Sequence, residues 1–142
     1  MERIAIIYWS GTGNTETMAK AMYDALNEKK LDVSLYNVND ISAQNALEYN
    51  KLMLGCPSMG AEVLEEYEFE PFFTEIESGL AGKKVSLFGS YGWGDGEWMR
   101  EWQARVEKTG ASLYGEGLII NDTPDQEGIN ACKSNALKFS EF

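Results

Sequence analysis

The chain begins with an apolar run and a polar glycine loop, which read Ile4-Ala5-Ile6-Ile7-Tyr8-Trp9-Ser10-Gly11-Thr12-Gly13-Asn14-Thr15. A helical pattern follows from about residue 15, so the order is strand, loop, helix. Glycines let a backbone close around an anion, and the amide N–H groups at a helix start point at it. The hydroxyl and amide side chains of the loop add further donors. The sequence therefore predicts that residues 10–15 hold a phosphate group.

The loop lacks the decisive residues of two familiar nucleotide motifs. It contains no Lys or Arg, whereas the phosphate loop of nucleotide hydrolases ends in Gly-Lys-Ser/Thr. Position 16 is Glu, so the dinucleotide fingerprint has no third glycine. A cradle of neutral donors suits one terminal phosphate that is bound and not transferred. An ordinary strand–turn–helix corner stays open as the alternative for this loop taken alone.

Composition narrows the class of protein. The 142 residues predict one domain over 1–142, and 23 acidic residues against 12 basic ones give a formal net charge of −11. That charge argues against nucleic acid and anionic membranes as partners and favours basic protein surfaces. The chain has no histidine, which removes the commonest general base and the commonest metal ligand. No metal site is expected.

The two cysteines and the first residues of the chain indicate the cellular compartment of the protein. Cys56 and Cys132 lie far apart and form no metal-binding pair, so two lone thiols in a reduced cytoplasm are expected rather than a disulfide. No apolar run is long enough to span a membrane, and the chain starts on a strand without a signal peptide. The expected location is cytoplasmic.

Apolar runs alternate with helical patterns along the chain. Strands are predicted over about 3–9, 31–37, 51–56, 84–88 and 112–120. Helices are predicted over about 15–29, 97–108 and 125–140, with a polar stretch at 39–48. A further helix is predicted to end at about residue 78, with Pro71 near its first turn. This alternation predicts an α/β fold, a doubly wound five-stranded parallel sheet with helices on both faces.

Three loops of unusual composition follow predicted strands, at 9–15, 57–62 and 89–96. Ligands of open parallel sheets bind beyond the carboxyl ends of the strands, so these loops are expected to form one site. Met59 and Trp93 stand among glycines and could clamp a planar ring from both sides. A phosphate at one end and a planar ring at the other describe a mononucleotide such as FMN. The alternative is that both side chains are exposed or cap the core.

A likeness to a known family rests on three motifs: Tyr8-Trp9-Ser10-Gly11-Thr12-Gly13-Asn14-Thr15, Met59-Gly60-Ala61-Glu62 and Ser90-Tyr91-Gly92-Trp93-Gly94-Asp95-Gly96. In this order they resemble the short-chain flavodoxins of anaerobic bacteria, and the similarity runs through the whole chain. The resemblance implies a flavodoxin-like sheet in the order 2-1-3-4-5. It also implies a low-potential electron carrier, not an enzyme, that transfers single electrons on noncovalently bound FMN.

The resemblance further implies roles for individual residues. Met59 would cover the inner face of the flavin and Trp93 the outer face, while Glu62 would accept a hydrogen bond from flavin N3. The peptide at Gly60 would turn toward N5 and stabilise the neutral semiquinone; Ala61 is stiffer than glycine at the next position. The implied cofactor-binding residues are Ser10, Gly11, Thr12, Gly13, Asn14, Thr15, Pro57, Ser58, Met59, Gly60, Ala61, Glu62, Gly89, Ser90, Tyr91, Gly92, Trp93, Gly94 and Asp95.

One position departs from the family pattern. Some relatives place a serine where Pro57 stands, and proline supplies neither a hydroxyl nor an amide donor. Ser58 and Ser90 are both candidates for the missing phosphate donor, and the choice between them stays open.

Negative charge dominates the expected electrostatics. The uncompensated phosphate, Glu62, Asp95 and the acidic run 65–70 would disfavour an anionic hydroquinone and lower the second reduction potential. The same carboxylates would steer a monomeric carrier toward basic-surfaced redox proteins, namely reductases and oxidoreductases, with hydrogenase or nitrogenase systems as candidates. Each glutamate of the run could equally be a plain solvated side chain.

Three other functions are alternatives to that of an electron carrier. An FMN-dependent NAD(P)H:quinone-type or azo reductase shares the fold but needs a substrate pocket, and no added segment is present to build one. A signalling receiver needs a phospho-accepting aspartate after the third strand, where this chain has Gly55-Cys56-Pro57. A nonredox binding module would require that the protein bind no flavin.

Overall fold

The structure, a computed structural model, describes residues 2–142, and strands and helices alternate along them. The strands are β1 (Ile4–Tyr8), β2 (Val33–Asn37), β3 (Lys51–Gly55), β4 (Lys84–Tyr91), β5 (Ser112–Leu113) and β6 (Leu118–Asn121). The helices are α1 (Asn14–Glu28), α2 (Ala43–Ala46), α3 (Phe69–Glu77), α4 (Glu97–Lys108) and α5 (Gln126–Ser140), with a 3₁₀ helix at Val38–Asp40. No helix within residues 2–142 is long and apolar enough to cross a membrane.

The strands form one parallel sheet in the order β2-β1-β3-β4, and β5 and β6 both pair with the far side of β4. The predicted α/β sheet and its order 2-1-3-4-5 are thus confirmed. The prediction of one continuous last strand over 112–120 is wrong, because β5 and β6 are separate pieces. Between them Gly115 has a φ of 54°, and this left-handed backbone cannot continue an extended strand.

One other boundary differs from the predicted ones. β4 runs on to Tyr91 instead of stopping at Phe88, because its last residues pair with β6, as in Ser90 with Ile120. Helix α3 begins at Phe69 and has Pro71 in its first turn, as predicted. Glu65 Oε1 accepts from the backbone N–H of Phe69 at 2.7 Å and satisfies a donor of that turn.

The core lies on both faces of the sheet, which explains why the central strands are apolar at consecutive positions. One face packs under α3 and α4 and includes Ile7, Leu54 and Leu87. The other packs under α1 and α5 and includes Met53 and Phe88. The predicted inner residues of α1 are buried, and so are those of α4, where Trp98 is buried in addition to the predicted ones.

Candidate functional site

A cleft of about 330 Å³ opens at the carboxyl edge of the sheet, where the strand order reverses between β1 and β3. Ligands of doubly wound folds bind at this switch point. Residues from all three predicted loops line it, together with one from the segment after β6. The lining residues are Gly11, Thr12, Asn14, Pro57, Ser58, Met59, Ser90, Tyr91, Gly92, Trp93 and Asp122.

The loop 10–15 is shaped by its own hydrogen bonds. Ser10 Oγ accepts from the backbone N–H of Gly13 at 3.1 Å and of Glu16 at 3.2 Å, which leaves the Ser10 O–H hydrogen available to donate. Gly13 precedes α1 with a φ of 99° and has no side chain to cap the helix. Ser10 Oγ thus occupies the N–H of Glu16 in the first turn of α1, while Asn14 at the helix start lines the cleft and brings the positive end of the helix dipole to it.

Two buried hydroxyls tie this loop to β4. Thr15 Oγ1 and Ser90 Oγ lie 3.0 Å apart, and the Ser90 N–H donates to Thr15 Oγ1 at 3.3 Å. Both hydroxyls thus have protein partners. Ser58 Oγ is different, since it is buried in the cleft wall and no hydrogen-bond partner within residues 2–142 reaches it. Of the two serines considered in place of a hydroxyl at Pro57, Ser58 has the uncommitted one.

The loop after β3 ends in a tight turn. Met59 and Val63 exchange two backbone hydrogen bonds, of 2.8 and 2.9 Å, and so close the turn around Ala61. Gly60 and Glu62 both have left-handed backbones, with φ of 50° and 54°. Such a conformation is uncommon for a glutamate and stores strain of about 1–3 kcal/mol, which clusters at ligand sites.

Glu62 also links the two loops that were expected to hold a ring. A Cβ built on Gly94 would lie 2.3 Å from the Glu62 carboxyl carbon, so a side chain at this position would displace the Glu62 carboxyl group. Glu62 Oε1 is buried and has no hydrogen-bond partner among the described residues. Glu62 is not among the residues that line the cleft, but it follows Met59, which is, by three positions, and its buried acceptor lacks a donor.

The loop after β4 presents an aromatic side chain to the cleft. Trp93 is 53 % exposed yet lines the cavity, so its indole is not part of the core. Tyr91 is anchored behind it by a ring contact of 5.6 Å with buried Trp98. Gly89 lies within the sheet, where a Cβ would come 2.2 Å from the Cys56 carbonyl oxygen, so the structure places it behind the cleft wall.

Several of the acidic groups that were expected to surround the ligand with negative charge form ion pairs or hydrogen bonds within the protein. Asp95 is exposed and pairs with Arg100 at 2.9 Å, which lowers the pKa of the Asp95 carboxyl. Glu65 is buried and accepts from three backbone N–H groups at the start of α3. Glu70 forms an ion pair of 2.7 Å with Arg105. The run 65–70 is therefore partly structural and not a uniform charged surface.

Sequence reasoning missed Asp122, which lines the cleft. It follows β6 with a φ of 56°, and its N–H donates to the Tyr91 carbonyl at 2.7 Å. A usable signal was present, since the end of β6 reaches the same edge of the parallel sheet as the three chosen loops. Its carboxylate adds one more negative group beside the cleft.

The two thiols are free and buried, as predicted. Burial raises the pKa of the Cys132 thiol to about 12 and that of Cys56 still further, so neither forms a thiolate near neutral pH. Within residues 2–142, no group of three or more His, Cys, Asp or Glu side chains stands where it could hold a metal ion.

Fold and site together define a doubly wound α/β protein with a mononucleotide-type cleft at its topological switch point. The flavodoxin family model matches residues 6–135. The flavodoxin of Clostridium beijerinckii is 50 % identical over 121 residues, which cover 85 % of this chain and 88 % of that one. The flavodoxin of Megasphaera elsdenii is 48 % identical over 122 residues, covering 86 % and 88 %.

A solved structure agrees with these similarities. The solution structure of two-electron reduced Megasphaera elsdenii flavodoxin has a TM-score of 0.85 and 44 % identity, and it covers 95 % of this chain and 98 % of that one. The chain belongs to the flavodoxin family, among its short-chain members. It is thus an FMN-binding electron-transfer protein, and a reductase acting on quinones is not favoured.

Proposed function

We propose that this flavodoxin holds FMN with its phosphate in the loop 10–15 and its ring between Met59 and Trp93. Three buried polar side-chain atoms have no hydrogen-bond partner among residues 2–142; Trp102 Nε1 lies in the core, and the other two, Ser58 Oγ and Glu62 Oε1, carry the proposal. An unsatisfied buried polar group costs about 1–3 kcal/mol, so both atoms favour a ligand that completes their hydrogen bonds. The two atoms bracket Met59 in the chain, as a donor to phosphate and an acceptor from a ring N–H would.

At the phosphate end, neutral donors bind the anion. The Ser10 and Ser58 hydroxyls donate to phosphate oxygens, and the start of α1 adds the positive end of the helix dipole. Because Thr15 and Ser90 bind each other, they hold the floor of the loop in place. No lysine or arginine lines the described cleft, so the phosphate keeps its charge near the ring.

At the ring end, apolar side chains exclude water and the backbone responds to the redox state. Bound FMN supplies the chemistry, since it accepts and releases electrons one at a time. The bonds between Met59 and Val63 fix the ends of the turn. Gly60 has open space around it, with only Val63 Cγ2 at 4.0 Å from a built Cβ. The middle of the turn can therefore reorient a peptide while its ends stay fixed.

Charge selects the partners. The net charge of −11 favours basic-surfaced redox proteins, such as reductases and oxidoreductases, and the exposed Glu66 lies beside the ring-binding turn in the chain. Electrostatic steering of this kind speeds encounter and weakens as salt is added. Residues 1–142 act as one domain, as a monomer in the cytoplasm.

The test is a comparison of FMN with riboflavin, which lacks the phosphate. Apoprotein titrated with each flavin, followed by quenching of flavin fluorescence, is expected to bind FMN at least tenfold more tightly. Equal affinities would contradict a phosphate site in the loop 10–15. Steady oxidation of NADPH by the purified holoprotein alone would contradict the role of carrier.

A further inference from the structure

The phosphate loop is covered by an indole ring. A Cβ built on Gly11 would lie 3.0 Å from Cη2 and 3.2 Å from Cζ3 of Trp9, so the ring rests directly on the loop backbone. Trp9 is half-buried and packs against the core cluster under α3 and α4. Any shift of this ring must therefore move the loop or open a gap beside it.

The position of that ring is set from a distant segment. Trp9 Nε1 donates to Glu68 Oε1 at 2.7 Å, across 59 residues of sequence. The other carboxylate oxygen of Glu68 accepts from Asn39 Nδ2. One side chain thus joins the loop after β1, the 3₁₀ helix after β2 and the start of α3. A carboxylate can accept both bonds, and bonds to a charged acceptor are stronger than neutral ones.

The backbone of Glu68 is held in place by the side chain of Glu65. Its N–H donates to Glu65 Oε1 at 2.7 Å, and buried Glu65 in turn donates its own N–H to Cys56 Sγ at 3.4 Å. Glu68 stands at the cap position of α3, yet its side chain makes no capping bond to that helix. Its carboxylate is therefore not needed to start α3 and is directed to Trp9 and Asn39 instead.

We infer that Glu68 is a positioning residue for the phosphate loop, which it holds in its binding shape through the Trp9 indole. The inference rests on the proposed function, in which the loop 10–15 binds the FMN phosphate. Glu68 is not among the residues that line the cleft, and its carboxylate contacts Trp9 and Asn39 instead. As a positioning residue Glu68 raises the affinity for FMN, whereas its negative charge by itself would repel the phosphate and lower that affinity.

Because positioning and charge repulsion change FMN affinity in opposite directions, removing the charge of Glu68 distinguishes between them. In Glu68→Gln the amide presents one oxygen and one NH₂ group to two N–H donors, so one of the two bonds is lost. The affinity for FMN is expected to fall about tenfold, while the affinity for riboflavin stays within twofold. Glu66→Gln removes an equal charge from an exposed neighbouring site and is expected to leave FMN binding unchanged or slightly tighter.

The path through Trp9 is tested by a double-mutant cycle. Trp9→Phe keeps an aromatic ring over Gly11 but removes the indole N–H. If Glu68 acts through that bond, the loss of FMN affinity in the double variant is clearly smaller than the sum of the two single losses. Additive losses would overturn the inference, and so would a Glu68→Gln variant that binds FMN as tightly as Glu66→Gln does. The thermal midpoints of the apoproteins verify that each variant is folded.

The controls separate this inference from the proposed function. If wild-type protein itself bound FMN and riboflavin equally, the phosphate site would fail and the Glu68 inference with it. If wild type discriminated between the flavins and Glu68→Gln retained that discrimination, only the role of Glu68 would fail.

Discussion

The loop 10–15 and the pair of loops at 57–62 and 89–96 line one cleft but are built in opposite ways. In the first, polar groups satisfy one another, as Ser10 does with Gly13 and Thr15 with Ser90. In the second, Glu62 Oε1 is buried with no hydrogen-bond partner among residues 2–142, and the backbones at Gly60 and Glu62 are left-handed. The first region is held in shape by its own hydrogen bonds, whereas the turn of the second keeps an unsatisfied acceptor and a strained backbone.

We expect the loop 10–15 to set the affinity for the cofactor and the turn 59–63 to control its redox behaviour. A preorganised cradle loses little entropy on binding, so it contributes mainly to affinity for the phosphate. A turn with unsatisfied atoms and room to reorient can bind different redox states unequally, and only unequal binding shifts an equilibrium. Substitutions in the two regions should therefore change different measured quantities.

The largest effect is expected for Gly94→Ala. The new Cβ would meet the Glu62 carboxyl group at 2.3 Å, in a backbone with a φ of 79°. Gly82→Ala is the matched control, since its φ is 81° and nothing lies within 4 Å. Both variants should lose about 1–2 kcal/mol of unfolding free energy from the left-handed backbone. Only Gly94→Ala should also lose affinity for riboflavin and FMN alike, by tenfold or more; equal flavin affinities in the two variants would contradict the role of the Glu62 contact.

The second test exchanges alanine for one glycine in each region. Gly13 and Gly60 both have positive φ, of 99° and 50°, and open space for a Cβ. Gly13→Ala should re-aim the N–H groups at the start of α1 and lower FMN affinity about tenfold, with the reduction potentials unchanged. Gly60→Ala should instead change the separation of the two one-electron potentials in an anaerobic dithionite titration. A variant that changes FMN affinity and the reduction potentials to the same degree would contradict the division of roles between the two regions.

A smaller effect is expected for Ser58→Ala. No described residue forms a hydrogen bond with this hydroxyl, so the unfolding free energy of the apoprotein should not fall, while FMN affinity should drop about fivefold through one lost hydrogen bond. Ser86→Ala is the control, because that buried hydroxyl donates to Asn135 Oδ1 at 3.4 Å. It should lose stability and keep its FMN affinity. A Ser58→Ala apoprotein less stable than Ser86→Ala would show that Ser58 has a structural partner.

The smallest effect is expected on the stability of the protein at low pH. The Arg105 guanidinium lowers the pKa of Glu70, which links α3 to α4 behind the ring loops. A carboxyl group with a lowered pKa in the folded state contributes stability that is present above its usual pKa and lost as pH falls. Between about pH 5 and pH 3, the thermal midpoint of wild type should fall more steeply than that of Glu70→Gln. Parallel slopes would show that this ion pair contributes nothing measurable.

Much of the site could be read from local patterns. The glycine loop after β1 and the exposed Trp93 between glycines stand out because their chemistry is carried by consecutive residues. Asp122 and the Glu68–Trp9 bond could not be read in this way. The first depends on which strand ends share an edge, and the second joins groups 59 residues apart.

The fold shows the same division. Alternating apolar runs and helical patterns determined the class of fold, because each strand and helix follows from the burial of its own residues. The break between β5 and β6 and the extension of β4 to Tyr91 were decided by pairing between strands. Pairing is a property of two segments, so one segment's pattern does not contain it.

The sequence by itself determined the sheet, the position of the cleft and the identity of its three loops. The tertiary structure decided which polar atoms are free to meet a ligand. Ser58 and Ser90 are both candidates from the sequence, yet the Ser90 hydroxyl is bound to Thr15, whereas none of residues 2–142 forms a hydrogen bond with that of Ser58. The acidic run was likewise divided by Arg105 and by the first turn of α3 into structural and solvated carboxylates. A donor or a charge acts through its partners, and folding supplies those partners from distant parts of the chain.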